Sequence, residues 1–158
     1  GVKVTAAQAM ERLAEPGDRV AIQGLLRCLE DPAEVRATAA SALLKVAGKG
    51  DDYAMIAVTP YLEHGNPDVR RAALLALPHL ASRGDAFAVS AACACLRDPD
   101  EEVRMAAARA LAQAAEADDL AAQEALQACL ETDSNFLVRR EAERAIGQFE
   151  PPSSCSPM

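Results

Sequence analysis

"DPDEEVRMAAARAL", Asp98 to Leu111, decides the fold, because a close variant, "DPAEVRATAASAL", already stands at Asp31 to Leu43. Self-similarity at a fixed interval marks a repeat architecture. The dipeptide Val-Arg sets the register: Val35-Arg36, Val69-Arg70, Val103-Arg104 and Val138-Arg139, at intervals of 34, 34 and 35 residues, with Val2-Lys3 standing 33 residues ahead of the first. Four residues after each Val comes Ala (Ala6, Ala39, Ala73, Ala107, Ala142), and seven after it Ala again (Ala9, Ala42, Ala76, Ala110, Ala145). Eight after it stand Met10, Leu43, Leu77, Leu111 and Ile146, and eleven after it Leu13, Val46, Leu80, Ala114 and Phe149. Positions 0, 4, 7, 8 and 11 share one face of a 3.6-residue helix, here termed helix B.

A second helix, A, precedes each full copy of B. Its anchor is Leu29, Leu62, Leu96 or Leu130. Leu25, Val58, Ala92 and Leu126 stand four before the anchor, and Ala21, Ala54, Ala88 and Ala122 eight before it. Asp31-Pro32, Asn66-Pro67 and Asp98-Pro99 separate A from B, and Asp133-Ser134-Asn135 does so without Pro. These residues predict helix starts, since Asp and Asn side chains accept from free N–H groups there and Pro fits the first turn. A single pair cannot bury enough apolar surface alone, so neighbouring pairs must stack. The expectation is an all-α, right-handed α-solenoid (superhelix). Its domain spans 1–150, with a lone B helix at 2–15, A–B pairs at about 18–48, 52–83, 85–116 and 118–149, and a disordered tail at 151–158. Entry directly into B implies either that an upstream helix was cut away, leaving a fragment of a longer array whose exposed Met10 and Leu13 invite end-to-end association, or that this B helix serves as a cap. The chain is expected to be a monomer or part of a longer array.

Composition bounds the function. Hydrophobic residues make up 51% and aromatics 3%, with no Trp, the profile of closely packed helices rich in Ala. The net charge of −8 argues against nucleic-acid partners and against anionic membrane surfaces. The Cys count is odd, and Cys28, Cys95 and Cys129 all stand just before an A anchor. Shared position favours apolar packing over metal binding, and free thiols imply an intracellular, cytoplasmic setting. No metal or cofactor is expected. His64 and His79 lack carboxylates in ligand spacing, and no nucleophile-base arrangement or phosphate loop is visible.

These residues resemble HEAT repeats, and among them the short HEAT-like class of phycobilisome lyase subunits. The pattern L-x-D-x-x-x-x-V-R-x-x-A-A-x-A-L is matched closely from Leu96 to Leu111, and the resemblance covers about residues 2–149. It implies a ladder between turn Asp and Val-Arg Arg side chains. Carried over, the Asp column is Asp98 and Asp133, with Glu30 or Asp31 in the first pair and His64 or Asn66 replacing it in the second. The Arg column is Arg36, Arg70, Arg104 and Arg139. The resemblance also implies a non-catalytic scaffold binding a protein or peptide on the concave B surface. The alternative is a factor like the phycobilin lyases or their chaperone-like relatives.

The non-core faces of B carry what varies between copies. Leu44, Leu74, Leu75 and Met105 are apolar where a solvated face would be polar, and Arg71, Arg109, Arg140 and Arg144 line up beside them. Two readings stand. One is a groove with an apolar middle and a basic flank, suited to an amphipathic or acidic peptide. The other has Leu74 and Leu75 packing between repeats while the Arg side chains pair with loop carboxylates. Pro60 and Pro78 fall inside helices of the second pair and should kink them.

Overall fold

Asp and Asn begin almost every helix of the chain. The computed structural model describes residues 1–149. They form α1 (Val2–Leu13), α2 (Arg19–Arg27), a short 3-10 turn (Cys28–Glu30), α3 (Ala33–Ala47), α4 (Asp52–Leu62), α5 (Pro67–Leu80), α6 (Ala86–Cys95), α7 (Glu101–Ala114), α8 (Leu120–Thr132) and α9 (Phe136–Gly147). Among the described residues there is no strand. The A helices are α2, α4, α6 and α8; the B helices are α1, α3, α5, α7 and α9. The expected tail at 151–158 lies outside the described residues.

Each A helix is capped by an Asp: Asp18, Asp51, Asp85 and Asp119 accept from Ala21, Ala54, Ala88 and Ala122, respectively. At α5 and α9 the caps are the expected Asn residues, and at α3 and α7 the structure corrects the expectation. Asn66, Asp100 and Asn135 cap α5, α7 and α9, while Pro32 holds the cap position of α3 with no side-chain bond. Asp98 sits two residues too early to cap α7. It accepts instead from the Asp100 N–H at 2.9 Å, and Asp133 does the same for Asn135. His64 Nδ1 fills that role for Asn66 at 3.1 Å.

The chain divides into two compact units, Gly1–Ser82 and Arg83–Met158. In the first, α2 packs on α3 and α4 on α5, α3 lies against both α1 and α5, and α2 touches α4. In the second, α6 packs on α7 and α8 on α9, with α7 against α9 and α6 against α8. The core faces follow the repeat register: Val69, Ala73, Leu77 and Leu80 are fully buried, as are Val103, Ala107 and Leu111. α1 departs from it. Ala6 and Ala9 are exposed, Val2 and Leu13 are 87% and 83% exposed, and Ala7 is the buried residue of this helix. The physical reason is that no A helix covers α1, which packs chiefly sideways on α3.

Three turns between repeats share one device. Gly17, Gly50 and Gly84 adopt φ of 81°, 81° and 79°. Their N–H groups donate to the carbonyls of Val46, Leu80 and Ala114 at 2.7, 2.6 and 2.6 Å. Each acceptor lies in the last turn of the B helix of the following repeat, so the turn is tied to the helix pair it leads into. Pro60 and Pro78 do not interrupt their helices, which run on to Leu62 and Leu80. Both prolines fall in the last turn, where each lacks the N–H that would bond the carbonyl four residues back.

Candidate functional site

Arg70, Arg104 and Arg139 fold back on the turns before their own helices. Arg70 Nη1 donates to the His64 carbonyl, Arg104 Nη1 to that of Asp98 and Arg139 Nη1 to that of Asp133, at 2.7, 2.9 and 2.7 Å. What distinguishes the copies is the carboxylate facing them from the following repeat. Arg104 makes a two-pronged bond to Asp133, Nε to Oδ2 at 2.7 Å and Nη2 to Oδ1 at 3.1 Å. Burial disfavours the Asp133 charge, but the bonds from Arg104 and from the Asn135 N–H outweigh it and hold the carboxyl below its ordinary value. Lys3, at the same position in α1, pairs with Asp31. Arg36 should meet the residue at position 64, which is His rather than Asp. Its Nη1 is buried without a hydrogen-bond partner, and the nearest carboxylate is Asp68 at 3.6 Å. Asp31 therefore serves Lys3, not Arg36.

The variable B-face residues divide between the two units. In the first, Leu74 is fully buried, which removes it from any groove; it packs, as the second of the two readings held. Leu44 is half-buried, Leu75 is 42% exposed, and Arg71 pairs with Asp68 at 3.3 Å. In the second unit, Met105 and Arg109 of α7 line an open cleft of about 620 Å³ together with Arg140 and Arg144 of α9. Leu137, Glu141 and Glu143 complete its wall. Leu137 is 51% exposed and had not been singled out, because it directly precedes Val138 and lies outside the face positions read from the repeat. Phe136, the first residue of α9, is 62% exposed.

The electrostatics of the cleft are uneven. Arg109 Nε meets Glu141 Oε1 at 3.0 Å, and Glu141 is nearly enclosed, so this pair is internally satisfied. Among the described residues Arg140 and Arg144 carry no ion pair, and both are exposed. The cleft thus offers two unengaged guanidinium groups beside Met105 and Leu137. Guanidinium forks match carboxylates two-pronged.

The thiols are packing groups. Cys28 and Cys95 are half-buried and Cys129 is buried, and burial pushes the Cys28 and Cys129 thiols up, away from reactivity. Cys129 and Cys93 border a cavity of about 390 Å³ with Arg97 and Asp133, and Asp133 is already engaged by Arg104. No group of three or more His, Cys, Asp or Glu able to hold a metal ion is present among the described residues. None of their helices is long and apolar enough to cross a membrane.

No curated protein matches the chain in sequence. The family of HEAT repeats matches residues 56–147, from α4 through α9, more than half of the chain. That span and the paired helices agree, and the chain belongs to the HEAT repeat family.

Proposed function

We propose that the chain is a non-catalytic interaction scaffold, and that the cleft between α7 and α9 holds an acidic, amphipathic segment of a partner protein. HEAT repeats commonly mediate contacts between proteins and are typically non-catalytic. One observation carries the reading: Arg140 and Arg144, free of ion pairs among the described residues, flank Met105 and Leu137 in one open cleft. A carboxylate from the partner pairs with each Arg, and an apolar side chain between them covers Met105 and Leu137. Arg109, held by Glu141, shapes the wall. The thiols fit a reducing, cytoplasmic setting.

The test is comparative capture from the native source by the parent chain and by the Arg140→Glu/Arg144→Glu variant. A partner retained by the parent, lost by the double variant and unaffected by Leu75→Asp in the first unit is expected. The same proteins captured by parent and double variant, with both folded by circular dichroism, would overturn the reading.

A further inference from the structure

The two units fill the space between their A helices differently. In the first, Leu26 of α2 stands three residues before its anchor Leu29 and is 1% exposed. Tyr61 of α4 stands just before its anchor Leu62 and is half-buried. Burial pushes the Tyr61 hydroxyl up, the Glu30 charge adds to this and the Arg27 charge opposes it, so the ring reaches the end of α2 and the turn after it. A leucine and a phenol thus close the first unit at this place.

In the second unit each of these places carries a different residue. Cys93 stands where the first unit has Leu26, Ala94 where it has Arg27, Cys129 where it has Tyr61 and Arg97 where it has Glu30, counted from the anchors Leu96 and Leu130. Three of the four are truncated, and the fourth is reversed in charge. All four line the cavity of about 390 Å³ between α6 and α8. Close-packed interiors leave few voids larger than a water molecule. Pockets that hold small ligands run from about 300 to 1,000 Å³, and this one falls among them. Arg97 is exposed and carries no ion pair among the described residues. Asp133, the other charged lining residue, has both carboxylate oxygens taken by Arg104. The cavity therefore joins a wall of methyl and thiol groups to one unengaged cation.

We propose that this cavity binds an aromatic carboxylate, with the ring seated where Tyr61 lies in the first unit and the acid on Arg97. Tyr61 shows that a phenol ring fits between paired A helices at this point of the repeat. The thiols of Cys93 and Cys129 suit such a ring, because sulfur makes favourable contacts with aromatic edges. Glu30 would repel an acid in the first unit, whereas the Arg97 fork can take one with two bonds. Free arylalkanoic acids and the C-terminal aromatic residue of a polypeptide share this chemistry. The site does not depend on the cleft between α7 and α9.

The probe is para-hydroxyphenylpropionate, titrated into the isotope-labelled chain and followed by amide chemical shifts. Shifts centred on Cys93, Arg97 and Cys129 are expected. The corresponding amide keeps the ring and lacks the charge, so it should bind at least ~10-fold more weakly. Arg97→Glu, at an exposed position, should remove that preference for the acid. Cys93→Leu and Cys129→Tyr, made separately, restore the bulk of the first unit and should each abolish binding, with a thermal midpoint no lower than the parent's showing that the fold accepts them. An acetylated Ala-Ala-Tyr peptide with a free C-terminus separates the sources: binding tighter than the free acid's assigns the site to a polypeptide terminus, weaker binding to a small acid. Four results overturn the proposal: no shifts up to ~10 mM acid, equal affinity for acid and amide, undiminished binding in folded Cys93→Leu, or shifts that vanish in Arg140→Glu/Arg144→Glu.

Discussion

Arg36 and Arg104 hold the same repeat position and meet different neighbours. Arg104 finds Asp133 with two prongs, while Arg36 has a buried Nη1 without a hydrogen-bond partner. The difference traces to His64, which like Asp133 stands five residues before the Val of its own repeat. An Asp there keeps the acceptor for the Asn66 N–H and adds one for Arg36. His64→Asp should therefore stabilise the chain by about 1 kcal/mol, the typical net worth of a hydrogen bond. The urea midpoint should rise with an unchanged slope, and the gain should vanish in an Arg36→Ala background. Asp133→Ala works in the opposite direction, leaving the Arg104 guanidinium half-satisfied and costing about 2 kcal/mol. The pH dependence follows from the lowered carboxyl of Asp133. Its contribution is complete above the unfolded carboxylate value of about 3.9, and is lost as pH falls through the lower folded value. Acid titration of stability in Asp133→Asn should lack that part of the slope.

The connection between elements rests on the Gly-Asp turns. Gly17-Asp18, Gly50-Asp51 and Gly84-Asp85 each pair a positive φ with a helix cap. In Gly84→Ala the new Cβ would lie 2.9 Å from Glu116 Cγ, and the φ of 79° disfavours any side chain. The Glu116 side chain can move and the backbone cannot, so about 1 kcal/mol is expected from the left-handed conformation alone. Thermal unfolding should show this loss both in Gly84→Ala and in the same change made on a Glu116→Ala background. A return of full stability in the second would assign the cost to crowding. These turns were visible in the sequence only as punctuation, "GKGDD" and "SRGD". The helices themselves were legible, because Val, Ala and Leu recur at intervals that only a helix face explains. The caps of the B helices were not, since Asp98 and Asp100 are equally plausible acceptors until the start of α7 is fixed. The letters of α1 fit the core register, but a core face needs a covering helix, so Leu13 stands exposed, as expected of a B helix met without its A helix.

At the scale of the whole molecule, charge and cleft oppose each other. The chain carries a net −8, which repels an acidic ligand at long range, while Arg140 and Arg144 attract it at contact. The grouping of Met105, Arg109, Arg140 and Arg144 was legible, because all four vary on the same side of a repeated helix. That Leu44, Arg71, Leu74 and Leu75 belong to the other unit was not, since a repeat pattern says nothing of where a chain divides into units. Salt decides which field dominates. Charges more than about 8 Å from the ligand are screened at physiological ionic strength, while direct guanidinium–carboxylate pairs persist longer. If the cleft holds the acidic segment as proposed, affinity should first hold or rise slightly as salt screens the global repulsion. It should then fall as the direct pairs weaken. In Arg140→Glu/Arg144→Glu both the local and the global terms are repulsive, so any residual affinity should only rise with salt. Isothermal titration of one captured partner across an ionic-strength series reads this directly. Parent and variant slopes of the same sign at high salt would place the binding energy outside Arg140 and Arg144.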